Sequence, residues 1–340
     1  MSVEPIPAGG PAQAGESAAR WTRGTALTRL EEQIARLESL RIHDDADLSG
    51  PVLEMRSRLA ALAARAYENL GGWQTVQIAR HAERPVLGDY LGGMVRDFVE
   101  LCGDRTFGDD RAMLAGFGRI AGRKVMLIGH RKGRETSERA ANCFGCAHPE
   151  GYRKALRAMK LAEKYGLPVV SLIDTPGAFP GVGAEERGAA QAIAINLMEM
   201  ARLRVPIVCV VLGEGGSGGA LGIGVGDRVG MMRYAYYSVI SPEGCASILF
   251  RDAGHKKSAA ESLGLRASDL LALGLIDDIV KEPAGGAHLG PQAAAEFLRD
   301  YLRNTLEELA NVPIEELLRK RAARLRAMGD CFTERRAEVS

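Results

Sequence analysis

The sequence predicts an α/β protein with a largely parallel sheet, and three observations predict it. Short apolar runs rich in β-branched residues, such as Val205 to Leu212 (VPIVCVVL), recur beyond residue 85. Stretches with apolar residues at helical spacing lie between them, as crossovers between parallel strands require. Glycine-rich segments stand where two of the apolar runs end.

Each element has its own local reason. Residues 1–24 are rich in Pro, Gly and Ala and read as a disordered tail, with no basic stretch leading into an apolar signal core. From Thr25 to Arg41, Leu27, Leu30, Ile34 and Leu37 fall at helical spacing. A second helix runs from Pro51, a first-turn position, to Leu70, where Gly71-Gly72 stops it. The pair predicts an αα-hairpin region over 25–84, outside the main body at 85–330.

Within that body Asp89 to Leu101 reads as helix. Ala112 to Ile120 and Lys124 to His130 read as strands joined at Ala121-Gly122. Glu150 to Tyr165 is an amphipathic helix ending at Gly166, and Pro168 leads into strand Val169 to Ile173. Helix Ala184 to Leu203 precedes the strand at Val205. Strands Arg228 to Met232, Tyr237 to Ile240 and Asp277 to Lys281 follow, with helices around Ala259 and Ser268. Pro291 to Asn311 and Ile314 to Met328 are charged amphipathic helices. No internal repeat is visible.

Composition excludes several function classes. Lys+Arg 44 against Asp+Glu 43 leaves a net charge of +1, so no global field favours nucleic acid or an anionic membrane. Aromatics at 5% are too few for a base-stacking platform. No apolar run approaches the ~20 residues of a membrane span. The six cysteines are scattered; Cys209 lies in an apolar strand, and Cys143-Phe-Gly-Cys146 is a lone CxxC with no second pair. They read as free thiols in a reducing cytoplasm.

The densest signal is Gly213 to Asp227 (GEGGSGGALGIGVGD), directly after the Val205 strand. So much glycine costs backbone entropy and marks close approach of main chain to something. The small and aliphatic residues after Ser217 predict a buried helix, whose first N–H groups are free to bind an anion or oxyanion. Three site types share this shape. Gly213-x-Gly215-x-x-Gly218 fits a dinucleotide fingerprint, but the acidic residue in range, Glu243, lies in SPEG, a turn signature. A phosphate loop needs Gly-Lys-Ser/Thr, and no lysine occurs between Lys164 and Lys256. Gly215-x-Ser217-x-Gly219 fits a nucleophile elbow, with Asp277 or Asp278 and His288 in hydrolase order. The simpler reading, and the favoured one, is that Ser217 is a small N-cap residue of the next helix.

Asp174 to Gly181 (DTPGAFPG) is a second glycine loop after a strand, so the two can face each other across one site. Glu185 and Glu186 open the next helix, as dipole partners or as a carboxylate pair. Arg131, Lys132, Arg134 and Arg139 follow the strand ending at His130, and form either a phosphate clamp or a solvated loop. Rich backbone donors with few ionisable groups favour stabilising a developing oxyanion over metal-assisted hydrolysis.

GHRKGRET at 129–136, PEGYRKALR at 149–157, IDTPGAFPGVGAEERG at 173–188, GEGGSGGALGIGVGD at 213–227, YSVISPEGCASILF at 237–250 and GGAH at 285–288 closely resemble the alpha-subunit family of bacterial acetyl-coenzyme A carboxylase carboxyltransferases. The resemblance runs in order from Leu27 to Met328. It implies the crotonase (Clp protease/crotonase) fold of repeated ββα units, with residues 85–330 as the carboxyltransferase domain. It also implies assembly of two alpha with two zinc-bearing beta chains. The activity implied is transfer of carboxylate from biotin, borne on a separate carrier protein and charged by biotin carboxylase, to acetyl-coenzyme A. The product is malonyl-coenzyme A for fatty acid synthesis. By resemblance the backbone of Gly218 and Gly219 forms the oxyanion hole for biotin. Gly177 and Ala178 line the opposing wall, and Gly215, Gly216, Arg131, Lys132 and Arg134 join in substrate binding. The beta chain's four-cysteine zinc framework is absent here, so no metal is expected and Cys143 and Cys146 are left as structural.

Overall fold

Two compact units divide between Asn69 and Leu70, and the structure, a computed structural model, describes residues 49–329. In the first unit, α1 (Ser49–Glu68) runs as expected, with Pro51 in its opening turn and its end ahead of Gly71-Gly72. The helix expected over 25–41, and hence the hairpin, lies outside the described residues, as does the tail.

The second unit opens with α2 (Gly72–Ala79), α3 (Leu87–Met94) and β1 (Val95–Glu100). Here the expectation of one helix from Asp89 to Leu101 is wrong beyond Met94. Gly92 and Gly93 weaken the helix, and β1 pairs antiparallel with β2 (Met113–Ile120). The reason lies across the strand. A Cβ at Gly116 would lie 2.7 Å from the Phe98 ring, and one at Gly118 would lie 2.6 Å from Val95 Cγ1. The β1 side chains fill the space those glycines leave. β3 (Arg123–His130) returns through a two-residue turn in which Ala121 and Gly122 have φ of 48° and 82°, and Ile120 stands opposite Arg123. Positive φ at both central residues matches the twist of an antiparallel hairpin.

From β3 onward the sheet is parallel, its first six strands lying side by side in chain order and the last strand of the chain flanking the sixth. After α4 (Thr136–Ala141), α5 (Pro149–Tyr165) ends where Gly166 takes φ 63°, leading into β4 (Val169–Thr175). The helix expected over 184–203 is two helices, α6 (Val182–Glu186) and α7 (Ala189–Arg202). The chain breaks at Gly188, with φ 77°, a conformation glycine adopts without strain. β5 (Ile207–Gly216) is buried along its length and runs on into the glycine segment. Both faces of β4 and β5 are covered, which explains their unbroken apolar runs.

The buried helix expected after Ser217 is a single turn, α8 (Ser217–Leu221). β6 (Arg228–Met232) pairs with β5, and β7 (Tyr236–Ser238) pairs with its far end at Glu214–Gly216. SPEG is not a turn but the start of α9 (Pro242–Leu249): Pro242 occupies the first helical position and Ser241 Oγ accepts from Gly244 N at 3.1 Å. α10 (Lys256–Ser262), α11 (Ala267–Ala272), β8 (Asp278–Val280), α12 (Pro291–Ala310) and α13 (Ile314–Ala327) complete the unit close to expectation. α13 is anchored by Arg321, whose side chain has no exposure. Its Nη1 donates to Met200 O (2.7 Å) and Leu203 O (2.8 Å), Nη2 to Val205 O (2.9 Å), and Nε and Nη2 to Asp227 (2.8 and 2.7 Å). Among the described residues no helix is long and apolar enough to cross a membrane.

Candidate active site

The two glycine loops leave the C-terminal ends of adjacent parallel strands, where α/β sheets place their sites. Pairing of β4 with β5 is regular to Ile173 opposite Val211, then slips so that Thr175 stands opposite Gly215. Beyond the slip the loops press directly on each other. A Cβ at Gly216 would lie 2.9 Å from Gly177 N, and one at Gly219 would lie 2.8 Å from Gly177 Cα and nearer still to Ala178 N. Both contacts are with backbone, which cannot swing aside, so these positions admit only glycine without a shift. Gly215 faces a side chain instead: its Cβ would lie 2.8 Å from the Tyr237 ring. Gly218 differs: the nearest atom to its Cβ position is Ile193 Cδ1 at 3.8 Å.

Ser217 turns the chain from β5 into α8 with φ 50° and is exposed. First-turn N–H groups have no carbonyl within their helix. Among the described residues, those of Gly218 and Gly219 donate to nothing else. The turn is held from beneath by α5 and α7. Tyr152 Oη donates to Gly219 O at 3.2 Å, and Asn196 Nδ2 donates to Tyr152 O and Gly222 O, both at 3.0 Å. The second loop is tied by Phe179 N to Ala147 O (3.0 Å), with the Phe179 ring stacked on His148.

Below the loops lies a buried charge network that sequence reasoning missed in part. Glu214 Oε1 accepts from Arg80 Nε (2.7 Å) and Tyr236 Oη (2.8 Å), and Oε2 accepts from Lys132 Nζ (2.5 Å). Lys132 Nζ also meets Asp174 Oδ1 at 2.8 Å. Arg84 donates to Leu212 O (2.6 Å) and pairs with Glu282 at 2.8 Å, both side chains buried. Arg80 and Arg84 stand in ARHAERP, which carries no motif; only burial reveals them. Burial alone would raise the Glu214 pKa, but Lys132 and Arg80 outweigh it and hold it at about 2. Burial alone would lower that of Lys132, and Asp174 and Glu214 raise it instead.

The basic segment is therefore engaged within the chain. Arg131 Nη2 donates to both Glu100 oxygens at 3.0 Å, Arg134 Nη2 to Asp89 at 2.5 Å, and Lys132 lies inward as described. Glu185 and Glu186 are exposed on α6, while Arg187 turns back to Glu150 at 3.0 Å. A hydrolase triad is not assembled. Asp277 accepts from Arg324 Nε (3.0 Å) and Val229 N (2.7 Å), and Asp278 from Tyr301 Oη (3.0 Å). His288 stacks on His81 at 3.9 Å with both ring nitrogens unbonded. Burial pushes the thiol of Cys146 up to about 11 and also raises Cys143, so neither is an activated nucleophile. Among the described residues no group of three or more His, Cys, Asp or Glu is placed to hold a metal ion.

His130 ends β3 fully buried, and burial together with Lys132 pushes its pKa down to about 3, outweighing the opposing effect of the Gly219 backbone. The unfolded chain takes up a proton there near pH 6.5 and the folded chain does not. The unfolded state thus binds more protons between pH 6.5 and 3, and stability is lost as pH falls through that window. Urea unfolding between pH 7 and 5 is expected to show this, and His130→Gln to reduce the slope by about one proton.

The comparisons agree on one family. The model described as "Acetyl co-enzyme A carboxylase carboxyltransferase-like" matches residues 23–329. The acetyl-coenzyme A carboxylase carboxyl transferase subunit alpha of Xanthomonas campestris pv. campestris (strain B100) is 52% identical over 303 residues, 89% of this chain and 95% of that protein. Its counterpart in Stenotrophomonas maltophilia (strain K279a) is 53% identical at the same coverage. Among solved structures, the transcarboxylase 12S hexamer core matches with TM-score 0.53 and 23% identity, over 65% of this chain and 41% of that one. A Pseudomonas malonate decarboxylase hetero-tetramer in complex with coenzyme A matches with TM-score 0.54 and 16% identity, over 68% and 92%. At these identities the likeness is one of fold, the crotonase-like fold of carboxyltransferases. With the family model matching residues 23–329 and about half of the 303 aligned residues identical to those of its relatives, this chain belongs to the acetyl co-enzyme A carboxylase carboxyltransferase-like family.

Proposed function

We propose that the chain is the alpha subunit of an acetyl-coenzyme A carboxylase carboxyltransferase. With a beta partner it transfers the carboxyl group from biotin on a carrier protein to acetyl-coenzyme A, giving malonyl-coenzyme A. The observation that carries the reading is the pair of unengaged N–H groups of Gly218 and Gly219, braced by the opposing Gly177-Ala178 loop. Carboxybiotin supplies an activated carboxyl group and a ureido oxygen that gains negative charge as the group departs. The site fits such an oxygen: its donors are fixed backbone groups, Gly218 leaves open space, and Ser217 beside it is exposed. Gly177, Ala178, Gly215 and Gly216 set the distance between the loops. The inward pairing of Lys132, and the pairing of Arg131 and Arg134 with Glu100 and Asp89, favours a structural role over phosphate binding. The zinc, the thioester-side donors and the two-plus-two assembly belong to the beta side of the proposal, as does work with biotin carboxylase in the cytoplasm.

Reconstitution tests this. Malonyl-coenzyme A formation is expected from the chain with its beta partner and biotinylated carrier, and none from the chain alone. Turnover by the single chain, or none by the pair, overturns the reading. In the same assay Ser217→Ala is expected to keep most activity, since the hydroxyl makes no hydrogen bond among the described residues and the donors are main chain. A loss near ~10,000-fold in a folded complex would make Ser217 itself the reacting group.

A further inference from the structure

We infer that Lys132 is a positioning residue, whose ammonium group holds the two glycine loops at their working separation. The inference rests on the reading of Gly218 and Gly219 given above and adds the device that aligns them. Lys132 Nζ lies 2.8 Å from Asp174 Oδ1 and 2.5 Å from Glu214 Oε2. Asp174 is the next-to-last residue of β4, three positions before Gly177. Glu214 is on β5, three positions before Ser217. One cation therefore spans the points where both loops leave the sheet.

The sheet itself does not supply this spacing. Between Ile173 and Thr175 the register slips, and β5 carries two residues more than β4 before pairing resumes at Gly215. Ladder hydrogen bonds are lost across such a bulge. What replaces them is polar and side-chain-based: Glu214 N donates to Asp174 Oδ1 at 2.9 Å, and Lys132 bridges that oxygen to the Glu214 carboxylate. Arg80 and Tyr236 fix the other Glu214 oxygen, so the carboxylate cannot turn to follow a displaced partner. The Lys132 stem is fixed as well, since a Cβ at Gly145 would lie 2.8 Å from its Cγ. Removing the ammonium leaves two buried carboxylates facing each other across the bulge with their shared cation gone. They repel, and the Gly216 and Gly219 contacts with the opposing loop open.

The test uses the reconstituted alpha–beta complex. Lys132→Met is expected to lower kcat on the order of 100-fold, the cost of a ~1 Å displacement of oriented groups, with KM for acetyl-coenzyme A unchanged. Lys132→Arg is expected to recover part of the loss. Lys132→Met with Asp174→Asn is expected to recover about tenfold, because the repulsion is gone and an amide oxygen still accepts from Glu214 N. Hydrogen exchange supplies a readout that needs no turnover: the bonded amides of Gly177 and of residues 214–216 should exchange faster in Lys132→Met, with β2 and β3 unchanged. A kcat within about threefold of the parent, or a raised KM with kcat intact as a coenzyme A contact would give, overturns the inference. So does unchanged exchange at both loops in Lys132→Met. A wild-type complex that makes no malonyl-coenzyme A defeats the carboxyltransferase reading instead, and the exchange experiment then decides the role of Lys132 by itself.

Discussion

Gly219→Val is expected to abolish carboxyl transfer, by about 1,000-fold or more, in a complex that still assembles. The cause is steric and local. Gly219 is not among the residues with positive φ, so valine is not excluded by backbone conformation there. Its Cβ, however, would be driven into the main chain of Gly177 and Ala178, 2.8 Å from the Gly177 Cα and nearer to its neighbour. Backbone on one side and a strand end on the other leave nothing to yield except the spacing of the loops, and with it the aim of two N–H donors. Gly218→Ala tests the same turn from its open side: its Cβ would meet no protein atom closer than Ile193 at 3.8 Å, so the loops keep their spacing, and its loss, from crowding the space left for the substrate oxygen, should be smaller than that of Gly219→Val. A bulky residue at Ala284, in the turn before Gly285-Gly286, should be milder still. Steady-state kcat of the three complexes decides the matter. Near-normal turnover in Gly219→Val would place the oxyanion site on another loop.

Arg321→Ala is expected to destabilise the fold by about 3–5 kcal/mol. The guanidinium is wholly buried and satisfies three carbonyls, of Met200, Leu203 and Val205, besides both oxygens of Asp227. Alanine leaves a buried carboxylate without its salt-bridge partner and takes the side-chain donor from three carbonyls at the junction of α7 and β5, of which Met200 O keeps Leu203 N at 3.4 Å. Lysine should rescue little, because one ammonium cannot reproduce a planar fork that reaches four residues. Chemical denaturation of the purified chain measures the change. A shift below about 1 kcal/mol would show that water enters and replaces the arginine.

Much of the frame was legible because its signals are local. Gly166 stops α5, Ala121-Gly122 turns the β2–β3 hairpin, and the β-branched runs become β4 and β5. The errors have local causes too. Asp89 to Leu101 has helical spacing, yet its second half is claimed by the groove over Gly116 and Gly118, which only pairing creates. SPEG looks like a turn and is a capped helix start. The long helix at 184–203 breaks at a glycine whose φ no periodicity reports. At the site, glycine density announced a close approach without naming what approaches: the neighbour of Gly216 and Gly219 is the chain's own Pro176–Ala178 segment. The basic segment reads from its sequence as either a clamp or a solvated loop, and its lysine stands, largely shielded, at the centre of an ion network. The partner residues are far off in sequence: Arg80 meets Glu214 across 134 positions. Periodicity and motifs do not reach that far.

The Arg84–Glu282 pair has a consequence for how the protein is made. Its two members are 198 residues apart, and Arg84 also holds Leu212 O at the end of the strand that becomes the glycine turn. A ribosome adding roughly 5–20 residues per second delivers Glu282 some 10–40 seconds after Arg84. Through that interval the arginine lacks its salt-bridge partner, while β2 and β3, neighbours in sequence, can already pair. The nascent chain thus carries a formed hairpin well before the turn that bears Gly218 and Gly219 is locked, and a protein released short of Glu282 keeps its sheet edge open to other chains.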